Sequence, residues 1–166
     1  MKHFTHMTQI DAPIEAVAAF HTDSRALKLL TPPPVQVQFN QVQPLREGSV
    51  ADFTLWFGPL PVRWVAVHAQ VDPLLGFTDI QARGPFASWV HRHSFSALDD
   101  NTTLITDEIQ ASPKGHPFWW AFGQLMCLSL PFLFAYRGRV VRRALRRQGK
   151  LNNNPINSFA GENPSS

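Results

Sequence analysis

The chain has 166 residues, enough for one domain whose core needs neither metals nor disulfides to hold it. Apolar residues make up 44% and charged residues only 16%, against roughly 25% charged in an average domain, which excludes a disordered chain of high charge and low hydrophobicity. The formal charge of +3 is too small to define a polyanion binder, and thirteen Phe and five Trp supply much large apolar surface.

Residues 2–10 alternate and predict a strand with Phe4, His6, Thr8 and Ile10 on one side. They lack the apolar run of a secretory signal, so a cytoplasmic location is expected. Ala12-Pro13 opens a short helix, with Pro13 in its first turn, Asp11 as its cap and an apolar stripe of Ile14, Val17, Ala18 and Phe20. A second short helix is predicted over residues 24–30, capped by Ser24 and stopped by Thr31-Pro32-Pro33-Pro34. Strand-like segments follow at 35–40, 49–57, 62–71, 77–83, 87–98 and 102–111, separated by short turns such as Gly58-Pro59 and Gly84-Pro85. Residues 117 to about 148 read as one long helix, and residues 151–166, rich in Asn, Ser, Gly and Pro, as a disordered tail after a single domain of 1–150. This order predicts an α+β fold: a curved antiparallel sheet of about seven strands around a long C-terminal helix, with two short helices after the first strand.

Several segments carry a resemblance. Ala12-Pro13-Ile14-Glu15-Ala16-Val17 with Phe20-His21, Phe77-Thr78-Asp79-Ile80-Gln81 and Gly84-Pro85-Phe86 resemble the START-like, or SRPBCC, superfamily (helix-grip, birch-pollen-allergen-like). So do Trp89-Val90-His91-Arg92-His93-Ser94-Phe95, Thr103-Leu104-Ile105-Thr106-Asp107-Glu108-Ile109 and Phe134-Ala135-Tyr136-Arg137, in the manner of a bacterial ligand-binding SRPBCC domain. The resemblance covers about residues 2–147 and implies an internal cavity between sheet and helix for a small hydrophobic molecule. It does not imply one reaction, since such folds serve lipid carriers, polyketide cyclases and hormone-binding proteins alike.

Strand alternation sorts the candidate site. Trp89, His91, His93 and Phe95 share one face, Ile105, Asp107 and Ile109 another, and Phe77, Asp79 and Gln81 a third, all placed inward by their apolar members. These ten are the candidate ligand-binding residues. The polar cluster among them can orient a ligand, satisfy itself structurally, or do acid/base chemistry with His91 or His93 and Asp107. The His-x-His pair lacks a recognised metal-ligand spacing, and no metal or cofactor is expected. The lone Cys127 excludes an intrachain disulfide and a Cys-based zinc site, and it reads as an inert core thiol. No nucleophile elbow, phosphate loop or dinucleotide fingerprint occurs.

The long helix is unusual. Its first nineteen residues, Phe118 to Tyr136, hold only Gln124 and Ser129 as polar side chains, so it is expected to be buried or in lipid. Because the sheet needs a cover, a soluble closing helix with an apolar outer face is favoured over a span, and that face implies a homodimer contact or shallow membrane docking. Pro131 is expected to kink the helix. Beyond it, Arg139, Arg142, Arg143, Arg146 and Arg147 form one stripe suited to the helix C-terminus or to an anionic membrane surface, with no motif for nucleic acid. Residues 137–150 hold seven of the fifteen basic side chains and no acidic one, so the rest of the chain is net −4. The sequence therefore favours a carrier or sensor of a hydrophobic small molecule or lipid, peripheral to the inner face of the membrane. A cyclase/dehydratase-type enzyme and a membrane-associated interaction protein are the alternatives.

Overall fold

The computed structural model describes residues 1–23 and 26–152. Its strands are β1 (Lys2–Ile10), β2 (Gln36–Val42), β3 (Val50–Phe57), β4 (Leu60–Asp72), β5 (Gly76–Arg83), β6 (Phe86–Asp99) and β7 (Thr102–Pro113). Two short helices, α1 (Ile14–Thr22) and α2 (Ala26–Leu30), follow β1, and α3 (Pro117–Asn152) closes the chain. The strands form one curved antiparallel sheet in the order β1-β7-β6-β5-β4-β3-β2. All consecutive strands from β2 onward are neighbours, as short turns require. The segment α1–α2 carries the chain from one edge strand to the other.

Some boundaries differ from expectation. Asp11 does not cap α1: Pro13 holds the cap position without a side-chain hydrogen bond, and Asp11, two residues too early, pairs with Arg146 at 3.1 Å. The expected cap Ser24 lies outside the described residues, and α2 begins at Ala26. The last helix runs to Asn152, past the expected boundary at 150, and the rest of the expected tail lies outside the described residues. Helix α3 continues through Pro131, which sits on the exposed side where water can serve the carbonyl of Cys127.

The core divides into two apolar clusters. One gathers Ile10, Val17, Phe20, Phe77, Phe95 and Ile105 with Val141 and Leu145 of α3. The other gathers Phe53, Trp64, Phe86, Trp89 and Ile109 with Leu130 and Phe134 of α3. Along β6 the inward run passes from Trp89 through His91 and His93 to Phe95, and along β7 from Ile109 through Asp107 to Ile105. The polar residues thus lie between two apolar masses.

Close backbone approaches fix this arrangement at two glycines. At Gly138, an added Cβ would stand 3.0 Å from Thr8 Cγ2, so the absence of a side chain lets α3 lie directly on β1. Gly76 has φ +128°, and a Cβ there would run into the carbonyl oxygen of His93. Gly76→Ala is expected to destabilise the fold by about 1–3 kcal/mol, read as a lower urea midpoint at unchanged m. An unchanged midpoint would mean that β5 can shift freely against His93.

Candidate functional site

Strand register brings the polar residues onto adjacent rungs. His68 on β4 lies opposite Asp79 on β5, Asp79 opposite His91 on β6, and His93 opposite Asp107 on β7. The face is inward because its apolar members, including Trp64, Phe77, Trp89 and Ile109, are buried.

A continuous chain of contacts results. Asp107 Oδ1 accepts a hydrogen bond from His91 Nε2 at 3.0 Å and lies 2.9 Å from His93 Nδ1. Asp79 Oδ2 lies 3.5 Å from His93 Nε2, and Asp79 Oδ1 lies 3.3 Å from His68 Nε2. His68 is anchored behind by Ser49, whose Oγ and carbonyl oxygen lie 3.0 and 3.1 Å from its Nδ1. Neither His93 Nδ1 nor Asp79 Oδ1 has a hydrogen bond of good geometry, although both atoms are buried. Two further groups complete the cluster. His21 of α1 donates from Nδ1 to the carbonyl of Val17 at 2.8 Å and packs its ring 6.3 Å from that of His93. Arg137 of α3 donates to the carbonyl of Leu30 at 3.3 Å and lays its guanidinium 5.1 Å from the Phe134 ring centre.

The electrostatics sort these groups by charge. Burial opposes charge on His93, but the close contacts with Asp107 and Asp79 and their negative charges outweigh it and raise its pKa to about 9. Burial, reinforced by the charge on His93, lowers His91 to about 4. Burial likewise lowers His21 to about 4. Burial would raise both carboxyls, yet His91 and His93 hold Asp107 well below the ordinary carboxylate range, and His93 chiefly holds Asp79 below its ordinary value. Burial lowers Arg137, with Asp107 and Asp79 opposing, and a guanidinium stays charged regardless. At neutral pH the cations His93 and Arg137 offset the anions Asp79 and Asp107, while His21 and His91 are neutral.

Beside this cluster lies a cavity of about 590 Å³, within the roughly 300–1,000 Å³ usual for ligand sites. Phe53, Leu55, Trp64, Ala66, Trp89 and Phe134 build its apolar walls. Asp79, His91, His93, His68, His21 and Arg137 give it a polar end. A second space of about 20 Å³, bounded by Thr8, His21, His93, Asp107 and Arg137, is large enough for one water.

The structure brings most of the expected site together. Phe77, Asp79, Trp89, His91, His93 and Ile109 line the main cavity. Asp107 and Ile105 line only the small space, so Asp107 backs the two histidines rather than facing the cavity. Phe95 lies one rung beyond His93, packed 4.9 Å from the His21 ring, and belongs to the core. Gln81 is too close to the turn: its amide donates to the Phe86 carbonyl at 2.9 Å and its Oε1 accepts from the Phe86 N–H at 3.3 Å. Leu30 to Pro34 line the cavity, and the turns Gly58-Pro59 and Gly84-Pro85 do not.

Three contributors were not anticipated. His68 continues the inward alternation Val62, Trp64, Ala66 along β4, a signal present in the sequence. Arg137 falls on the buried stripe of Leu130, Phe134, Val141 and Leu145, at helical spacing, although it opens the arginine run. His21 carries no such signal, because its inward direction depends on how α1 packs. Asp79, His91 and His93 also bring three ligand atoms within 4.8 Å of one another, a two-histidine, one-carboxylate set suited to a transition metal. An ion there must displace the proton that His93 holds between its carboxylates.

No protein-family model matches the chain, and no curated protein matches it. Solved structures do. The Zhui aromatase/cyclase from Streptomyces sp. R1128 is 15% identical over 89% of this chain and 94% of that one, with a TM-score of 0.66. Norcoclaurine synthase from Thalictrum flavum, in complex with dopamine and hydroxybenzaldehyde, is 12% identical over 88% and 87%, with a TM-score of 0.62. A nucleoside-diphosphate sugar epimerase from Corynebacterium glutamicum is 28% identical over 86% of this chain but only 29% of that one, with a TM-score of 0.62. These likenesses show the fold, a curved antiparallel sheet around a long C-terminal helix in the helix-grip arrangement.

Proposed function

We propose that this protein binds one small hydrophobic molecule that carries a hydroxyl or carbonyl group at one end. One observation supports this above others: an apolar, aromatic-walled cavity of about 590 Å³ ends on a cluster of histidines, carboxylates and Arg137. The walls desolvate the body of the ligand, and the cluster fixes its direction. His91, whose Nε2 donates to Asp107, has Nδ1 left as an acceptor, and Arg137 is a fixed donor.

Trp64 and Trp89, whose rings are 5.3 Å apart in the cavity wall, report occupancy by fluorescence. Titration with 2-naphthol and with naphthalene is expected to show saturable quenching by both, with about five- to tenfold tighter binding of the naphthol through its one hydrogen bond. Equal affinities would overturn the role of the polar end. Ala66→Phe, which places a ring in the cavity, is expected to fold and to lose both titrations.

A second reading is catalysis of the cyclase type, favoured by the protonated His93 held between two carboxylates and by the likeness to an aromatase/cyclase. His93 then protonates a ligand carbonyl, and Asp107 acts as a positioning residue. His93→Gln separates the readings: a carrier keeps its affinity within about tenfold, whereas an enzyme binds and no longer turns over.

A further inference from the structure

One exposed stripe of helix α3 has two halves. At about 3.6 residues per turn, Phe118, Leu125, Leu128, Phe132, Arg139, Arg143 and Arg146 fall on one stripe. The opposite stripe, through Leu130, Phe134, Val141 and Leu145, is buried against the sheet. Burial inside the fold therefore holds for only one side of the apolar half. Leu125, Leu128 and Phe132 are 67%, 69% and 80% exposed, an apolar cost that a soluble surface rarely carries in one row. The same row then becomes cationic. Arg139, Arg143 and Arg147 are exposed and make no ion pair among the described residues.

The cavity opens on this face. Leu125 and Phe132 both line the cavity and stand exposed, as do Pro33 and Pro34. An apolar row at the mouth, continued by unpaired arginines, is complementary to a bilayer whose headgroups are anionic. We infer that α3 docks this face on an anionic membrane surface, with Leu125, Leu128 and Phe132 in the headgroup–acyl boundary and Arg139, Arg143 and Arg147 on the headgroups. Docking faces the cavity mouth to the acyl layer, so a hydrophobic ligand passes between membrane and cavity without crossing water. The helix does not span: Leu130, Phe134 and Val141 cover the sheet, and Arg137 completes the polar cluster, so withdrawing α3 would strip both. This inference takes the ligand-binding reading and names the source of the ligand.

Flotation of the full chain with phosphatidylcholine vesicles, and with vesicles containing phosphatidylglycerol, tests it. Binding is expected to the anionic vesicles, to weaken with salt, and to fall about fivefold for each of Arg139→Gln, Arg143→Gln and Arg147→Gln. Leu128→Glu, which lies outside the cavity lining, is expected to abolish flotation while leaving 2-naphthol quenching in solution unchanged. No flotation with either vesicle would overturn docking. Flotation indifferent to phosphatidylglycerol would overturn the arginine contact. A stable dimer that Leu128→Glu dissociates, without flotation, would assign the face to a second copy and overturn the inference. Quenching without flotation defeats docking alone, and flotation without quenching defeats the ligand-binding reading alone.

Discussion

Asp107→Asn is expected to destabilise the fold by about 3–5 kcal/mol, the usual cost of leaving a buried charge without its partner. One carboxylate oxygen serves both His91 and His93, and the charge beside it is among the attractions that Arg137 feels. Removing that charge leaves two buried cations facing Asp79 alone. The isosteric amide keeps the shape, so the loss is electrostatic rather than a cavity. Urea unfolding measures the cost. An NMR titration of the His93 ring is expected to show its pKa well below the value of about 9 in the parent protein. A cost under about 1 kcal/mol with an unmoved His93 pKa would be the behaviour of a solvated, weakly coupled pair, and it would contradict the network. Because Asp107 is set back from the main cavity, any of the variant that remains folded is expected to bind 2-naphthol still.

The second large effect is a stability maximum near pH 6.5–7, the ordinary histidine range. The sign follows from the separate directions of the shifts. His93 has a raised pKa, so its contribution is complete below the unfolded value near 6.5 and is lost as pH rises through about 9. His21 and His91 have lowered pKa values, so their contributions are present above about 6.5 and are lost as pH falls through about 4. Asp79 and Asp107 add a further loss below the ordinary carboxylate range. Each group limits the slope to about 1.4 kcal/mol per pH unit. The acid limb, with two histidines, is thus expected to be about twice as steep as the alkaline limb. Melting temperatures across this range measure it. His93→Gln is expected to flatten the alkaline limb and also to soften the acid limb, because the charge on His93 helps to lower His91 and His21 and to hold Asp79 and Asp107 down. A parent profile that rises from pH 7 to 9 would contradict a protonated His93.

Much of this site was legible in the residues because strands announce their faces. Trp89, His91, His93 and Phe95 alternate with smaller or more polar neighbours, and the aromatic mass decides which face is inside. The same rule places Asp107 between Ile105 and Ile109. What alternation cannot give is depth along the strand. Phe95 and Gln81 point inward yet lie outside the cavity, one too far toward the closed core and one at a turn, because the boundary of a cavity depends on which neighbours fill it. Register between strands is equally hidden, and it is register that sets Asp79 against His91 and His93 against Asp107. Arg137 shows a different limit. Its neighbours made it look like the start of a solvated basic run, while its helical phase put it on the buried stripe. Composition favoured the first reading and geometry the second. The long helix carries the same lesson in reverse. An apolar sequence all round predicts a closing helix with an apolar outer face but gives it no phase, and only the packing shows that Leu130 and Phe134 meet the sheet while Leu125, Leu128 and Phe132 face outward.

Native mass spectrometry of the purified full chain, with solvent extraction of whatever co-purifies, tests the ligand-binding reading most directly. The expected spectrum shows one small apolar molecule bearing a hydroxyl or carbonyl per chain, released on unfolding and absent from Ala66→Phe. A bare chain that also takes up neither 2-naphthol nor naphthalene would contradict it.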